Sequence, residues 1–265
     1  MRLGFITNGS VDDVRFAAKY GFGCLELAIF GESPLFERHA GFKSALAGEN
    51  VALSAVSLFG QNYREKDAHQ RQRHLDLWER AADLAAALGA RVFVTGSGYA
   101  PDEPVEEQWD AIVDELGPKI QAVKARGLEF AFYNCRWANA VYSPAAWRRV
   151  LPRLPGAGVK FDPSHPVYYG DDWLVDMRAA GPHILHAHAK DVLKVGGEMI
   201  PDPNPGLGQI NWGAFFALLY EAGYDGDVCI EPHSAMYTGE KRYAFLLLSR
   251  RYLDQFMLPP GLQQF

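Results

Sequence analysis

Val159-Lys160-Phe161-Asp162-Pro163-Ser164-His165 decides how this chain is read. Val159 and Phe161 alternate with Lys160 after Gly158, the period-two pattern of a short strand. Pro163 has no N–H to give to a ladder, so the strand stops at Asp162. An acid and, three positions on, an imidazole are left at a strand's carboxyl end, where α/β barrels carry their chemistry. The pattern recurs twice. Ile184-Leu185-His186-Ala187-His188-Ala189-Lys190-Asp191 and Val228-Cys229-Ile230-Glu231-Pro232-His233 also end apolar runs in metal-ligand residue types.

Strand-like and helix-like segments alternate on either side of these stretches. Further strands are expected at 3–7, 24–29, 51–58, 91–95, 128–133, 184–188 and 227–230. Helices are expected over 11–20, 35–47, 67–88, 105–125, 145–151, 171–180, 212–222 and 241–254. Ser10 caps the first helix, with Asp13 at the capping-box position and Gly21 as its stop. Ser143-Pro144 and Asn211 open two others, and Gly117-Pro118 predicts a kink in the fourth. Residues 196–209 read as a loop rich in Gly and Pro. Eight strand-plus-helix units in 265 residues, about 33 each, match one closed (β/α)8 TIM barrel. No linker or composition shift divides the chain, so a single α/β domain over 1–265 is expected.

Hydrophobic residues at 48% and aromatics at 13% supply a packed core and exclude global disorder. Net charge is −6 and no dense Lys/Arg run occurs, which argues against a nucleic-acid partner. Cys24, Cys135 and Cys229 are odd in number, widely spaced and set in apolar runs, the usage of buried small hydrophobes rather than disulfides. The opening residues read as a first strand and not a signal peptide, and no apolar run approaches about 18 residues. A soluble, cytoplasmic protein without membrane contact is expected.

Asp162, His188 and Glu231 close strands six, seven and eight, which are neighbours on one arc of a barrel rim. Carboxylates with an imidazole suit Mn²⁺, Zn²⁺, Co²⁺ or Mg²⁺ and need no sulfur ligand. Taken singly, each has a plainer reading: Asp-Pro-Ser is ordinary turn chemistry, and His188 is a satisfied core histidine.

Several stretches together resemble the xylose-isomerase-like sugar phosphate isomerase/epimerase family, whose barrel also underlies the endonuclease IV type of nuclease. They are Lys160 to His165, His186-Ala187-His188-Ala189-Lys190-Asp191, Ile210-Asn211-Trp212, and Tyr224 to Glu231. Leu25-Glu26-Leu27 and Ala87-Leu88-Gly89-Ala90 extend the likeness over nearly the whole chain. It implies a xylose-isomerase-like barrel holding one divalent metal ion, manganese first, on Asp162, His188 and Glu231. Glu26, His165, His186, Lys190 and Asn134 would bind a sugar substrate. The metal would grip a ketose carbonyl and its neighbouring hydroxyl and stabilise an enediolate.

One departure bears on mechanism. Such families carry Glu-Asn-His at the end of strand five, and here the matching residues are Tyr133-Asn134-Cys135. A phenol, with pKa about 10, is a weaker ligand and base than a carboxylate. Glu231 then remains as base, His165 serves as acid or second base, and Tyr133 or His165 stands near a vacant coordination position. Lys190 either holds a substrate oxygen or is a solvated partner of Asp191. Trp137, Tyr168, Tyr169 and Trp173 fall on strand-end loops, where aromatics stack on sugars or simply pack. An isomerase or epimerase is the leading expectation. A lyase acting on a keto-glycoside, and a non-catalytic sugar-binding or subunit role, are the alternatives; the partner expected besides the sugar is a second copy of the chain or another subunit. The nuclease reading is disfavoured, because Leu58-Phe59-Gly60 and Thr95-Gly96-Ser97-Gly98 lack its extra histidines.

Overall fold

Eight short apolar runs pair in parallel and close on themselves in the computed structural model, which describes residues 1–200 and 202–258. The strands are β1 (Arg2–Thr7), β2 (Cys24–Ile29), β3 (Ala52–Leu58), β4 (Val92–Thr95), β5 (Glu129–Tyr133), β6 (Ala157–Phe161), β7 (Ile184–Ala189) and β10 (Asp227–Ile230). Between the last two lies a small antiparallel hairpin, β8 (Leu193–Val195) and β9 (Glu198–Ile200). The barrel closes where β1 pairs with β10, Arg2 opposite Asp227 and Phe5 opposite Ile230.

Most apolar bulk lies between strands and helices. Trp78, from the long helix Ala68–Leu88, packs its ring 5.0 Å from Tyr63, 5.5 Å from Phe93 and 5.2 Å from Phe130. Each large side chain buried this way contributes roughly 1.5–3 kcal/mol relative to exposure. The carboxyl-terminal half of the barrel interior is built differently. Because alternate residues share a face, Glu26, Ser57, Lys160, Asp162, His186, His188 and Lys190 are buried together. That inner layer carries the site.

The expected element order agrees with the barrel, and local readings need correction. The expected helix over 35–47 is a 3-10 turn, Pro34–Phe36, followed by Ala40–Glu49. Ser10 does cap the first helix through Asp12 N. Asp13, however, does not close a capping box: its carboxylate accepts from Thr7 Oγ1 at 2.6 Å and from Arg242 and Tyr243. Pro118 lies inside one continuous helix, Val105–Ala125. A short helix, Ser164–Tyr169, follows β6 directly, since Pro163 enters the first turn without needing to donate. The Gly/Pro-rich loop folds partly into the β8–β9 hairpin. Cys135 is half-buried in the turn after β5 rather than inside a strand. No helix among the described residues is long and apolar enough to cross a membrane.

Candidate active site

The three strand ends do converge. Among the described residues, ligand atoms of Asp162, His188 and Glu231 lie within 4.8 Å of one another, as do those of Glu26, His186 and His188. The two groups share His188 and differ in how far they are satisfied.

Beneath His188 the chemistry is closed. Glu26 Oε2 stands 2.7 Å from His186 Nε2 and 2.6 Å from His188 Nε2, while Oε1 accepts from Ser57 Oγ at 2.5 Å. Burial alone would raise the Glu26 pKa, but the charges of His188 and His186 outweigh it and hold the carboxyl well below its usual range. Burial would likewise lower His186, and Glu26 instead pushes it up to about 9. Glu26 and His186, expected on the substrate wall, are therefore part of the floor: both oxygens of the Glu26 carboxylate are engaged by Ser57, His186 and His188. A carboxylate on Nε2 also fixes the ring of His188 and aims Nδ1 upward, the usual outer-shell arrangement behind a metal-binding histidine.

Above His188 the chemistry is open. Asp162 accepts two bonds from Ser164 at Oδ1, from the N–H at 2.9 Å and the hydroxyl at 2.6 Å. Its other oxygen, Oδ2, is fully buried and has no hydrogen-bond partner among the described residues. Around it, His165 Nε2 lies at 3.4 Å, Lys190 Nζ at 3.5 Å, Lys160 Nζ at 3.7 Å and His188 Nδ1 at 3.9 Å. Glu231 Oε2 sits 2.9 Å from His188 Nδ1 and 3.7 Å from Lys190 Nζ. An orphaned carboxylate oxygen, an imidazole nitrogen and a second carboxylate converging on one point fit a divalent cation with hard O and N ligands. Binding there would release the proton that otherwise lies between His188 Nδ1 and Glu231.

The surrounding charges keep both acids ionised. Burial disfavours the charged forms of Asp162 and Glu231, and Lys190 above all overrides it, lowering both carboxyls. His165 is driven the other way: burial and then Lys190 push it down to about 3, so its imidazole is neutral at ordinary pH. A ring held that low accepts a hydrogen bond but resists taking a proton, so neither the acid nor the second-base role expected of His165 gains support from its surroundings.

Three further expectations change. Tyr133 Oη donates to the Trp137 carbonyl at 2.9 Å, and burial raises its phenol above the ordinary value, so it points away from the cation position and is no base. Asn134 spends its amide on the backbone of Asp162, donating to O at 2.9 Å and accepting from N at 3.0 Å; it braces the strand end instead of meeting substrate. Lys190 is buried at 2% exposure and faces Asp162 and Glu231, not Asp191. Asp191 instead gathers the following loop, accepting from the N–H groups of Val192, Gly206, Gly208 and Ile210 and from Trp212 Nε1.

Sequence reading overlooked Lys160. It lies two residues before Asp162 and so on the same inward face, a signal the alternation already carried. The loop contact His233 Nδ1 to Asp202 Oδ2, 2.7 Å, was also missed, because it joins segments 31 residues apart with no motif between them.

The family profile described as Xylose isomerase-like TIM barrel matches residues 14–246. YfiH from Bacillus subtilis (strain 168), described only as uncharacterized, is 26% identical over 291 aligned positions, covering 87% of this chain and 92% of that protein. Among solved structures, the IOLI protein with a bound zinc atom superposes with a TM-score of 0.80 at 16% identity, covering 98% and 100% of the two chains. E. coli YcjR, a 3-keto-D-glucoside 4-epimerase, does so with a TM-score of 0.77 at 16% identity over 96% and 99%. At such identities the superpositions establish a common barrel.

Proposed function

Because the chain belongs to the xylose isomerase-like TIM barrel family, we propose that it is a divalent-metal-dependent sugar isomerase or epimerase acting on a ketone through an enediolate. The observation that carries this reading is Asp162 Oδ2, buried and unpartnered among the described residues, facing His188 Nδ1 and the Glu231 carboxylate. Manganese is the first candidate for the ion, with zinc, cobalt and magnesium behind it. A bound divalent ion supplies Lewis acidity that polarises the ketone and offsets the charge of the enediolate.

The chain's own groups do the rest. Glu231 is the one acid of the cluster with an exposed edge, 18% of its side chain, and it is held ionised by Lys190 and His188. It takes the proton next to the ketone, a positioned-base effect worth typically 10²–10⁴-fold. Returned by the same carboxylate to the neighbouring carbon, that proton completes an isomerisation. Delivery from the other face requires a second group that carries a proton, which His165 can supply only after its ring has itself been protonated. Lys160 and Lys190 set positive charge 3.7 and 3.5 Å from Asp162 Oδ2, beside which the oxygens of an enediolate would gain negative charge.

Elimination from a keto-glycoside is the second reading, favoured by a specific observation: Tyr133 occupies the strand-five end and is locked by Trp137, leaving a one-sided base. Solvent deuterium decides between them. Incorporation at a ketose C–H only after Mn²⁺ is added supports the isomerase or epimerase, and release of a free aglycone supports the lyase. Metal content and exchange both unchanged in Asp162→Ala would refute the role given to this cluster, and no exchange or aglycone release with any sugar would leave a non-catalytic sugar-binding role.

A further inference from the structure

Asp162 Oδ2 lacks a hydrogen bond among the described residues, yet positive charge surrounds it. Two ammonium groups share it, Lys190 Nζ at 3.5 Å and Lys160 Nζ at 3.7 Å. The two lysines are held unequally. Lys190 also lies 3.7 Å from Glu231 Oε2, with the Tyr168 ring centroid at 5.5 Å. For Lys160, Asp162 is the one ion-pair partner among the described residues, and the Phe59 ring centroid lies 5.9 Å from Nζ. Lys160 is 1% exposed, so water does little to make up the difference. In the sheet it pairs with Tyr133, whose phenol is tied to the Trp137 carbonyl and brings no negative charge.

Asp162 and Glu231 bring two negative charges, Lys160 and Lys190 two positive, so these four balance before any ion enters. With a divalent ion on Asp162 Oδ2, Lys160 loses that oxygen and two positive charges stand in excess. Like charges repel strongly at this range when water is kept out. The oxygens of an enediolate, as they gain negative charge, restore the balance. We infer that Lys160 couples the metal ion to the substrate. Without substrate its ammonium stands at Asp162 in the cation's stead and keeps metal binding weak; with both bound it meets a substrate oxygen instead. This rests on the metal-assisted ketone chemistry of the preceding section. Such coupling is reciprocal: the factor that substrate adds to metal affinity, metal adds to substrate affinity.

The test titrates the intact protein with Mn²⁺, with and without acetohydroxamate, whose two adjacent oxygens copy those of an enediolate. In the unaltered chain each should tighten the other by about 100-fold, and independent binding overturns the inference. Lys160→Met, similar in length and neutral, should bind Mn²⁺ alone about tenfold more tightly than the unaltered chain. In the same variant the tightening given by acetohydroxamate should shrink by about tenfold. Lys160→Gln should behave alike and covers the case in which the Met variant fails to fold. Mn²⁺ affinity lowered or unmoved in both variants overturns the inference. So does tighter Mn²⁺ binding with the acetohydroxamate effect unchanged, because Lys160 would then oppose the ion without meeting the ligand. Metal-dependent deuterium exchange alongside any of these results leaves the ketone chemistry standing. Tighter Mn²⁺ and a smaller acetohydroxamate effect, with no exchange in any sugar, support the coupling and refute that chemistry. No Mn²⁺ bound by the unaltered chain or either variant overturns both.

Discussion

The two mouths of the barrel are both ringed by charged residues, and they settle those charges in opposite ways. At the amino-terminal end Arg2 meets Asp227 with two bonds, 2.8 and 2.9 Å, and Arg91 meets Glu129 at 2.8 Å. These are one-to-one pairs with the Arg2 side chain 51% exposed, so water shares the solvation. At the carboxyl-terminal end two lysines and three histidines crowd Asp162, Glu231 and Glu26 away from solvent, and Asp162 Oδ2 still lacks a partner among the described residues. Burying charge is costly even when it is paired, several kcal/mol per ion after relaxation. Such a cluster is poor value as a stabiliser and good value as a binding centre. Charge at one end pairs across neighbouring strands; charge at the other is gathered at the residues proposed to hold a ligand.

The sharpest way to break the contrast is at the top. Glu231→Gln keeps the shape and the hydrogen bond capacity but removes the base and one anionic ligand. Metal-dependent deuterium exchange should fall by about 10³-fold, within the range for a positioned base plus altered charge. A loss under tenfold would remove Glu231 from the mechanism. Glu26→Gln probes the floor. It leaves the three upper ligands in place but weakens the hold on the His188 ring, so metal affinity should drop about 10–100-fold. Direct titration with Mn²⁺ checks this without reference to turnover, and Glu26→Asp should recover part of the loss if orientation is what matters.

Much of this contrast was legible in the sequence. Asp162, His188 and Glu231 each end an apolar run, and chain order alone put those runs on adjacent staves, so the upper cluster could be assembled before any coordinates. Glu26 could be placed at a strand but not at a depth. The sequence says which face a residue shares and not how far down the barrel its side chain ends, so a floor carboxylate looked like a wall carboxylate. Asn134 and Tyr133 misled for a related reason: their partners, the Asp162 backbone and the Trp137 carbonyl, are backbone groups, which carry no residue-type signal. The aromatics of the rim were half visible. Trp137 was placed on a strand-end loop, but Phe30 and Phe59 meet only because β2 and β3 are neighbours.

Smaller effects separate architecture from chemistry within the upper end. Asp191 is buried and accepts five N–H groups that tie down the β7 loop, so Asp191→Ala strands several buried donors. Stability should fall by about 2–4 kcal/mol, read from the urea midpoint at unchanged slope. An effect below about 1 kcal/mol would mean that the loop finds water in place of the carboxylate. Tyr133→Phe deletes one hydrogen bond to the Trp137 carbonyl and should cost about 1 kcal/mol. Exchange rates in that variant should stay within about twofold, because the phenol faces away from the cation position. A hundredfold loss would instead return Tyr133 to the catalytic set.

The smallest expected effect on the chemistry comes from the opposite mouth, and it is the control that gives the others meaning. Arg2→Met removes the bidentate partner of Asp227 while keeping most of the aliphatic stem. The pair is partly solvated, and Tyr224 Oη still donates to the Asp227 backbone carbonyl at 2.6 Å. The Asp227 side chain is only 4% exposed, however, so loss of its partner should cost about 3 kcal/mol, the range for breaking a buried pair from one side, while the chemistry at the other mouth is untouched. Metal affinity and deuterium exchange should not move at all, since the barrel's length separates Arg2 from Glu231. If Arg2→Met lowered metal affinity as Glu26→Gln is expected to, strand-end charge at either mouth would be acting through the barrel as a whole, and the division between a holding end and a binding end would fail.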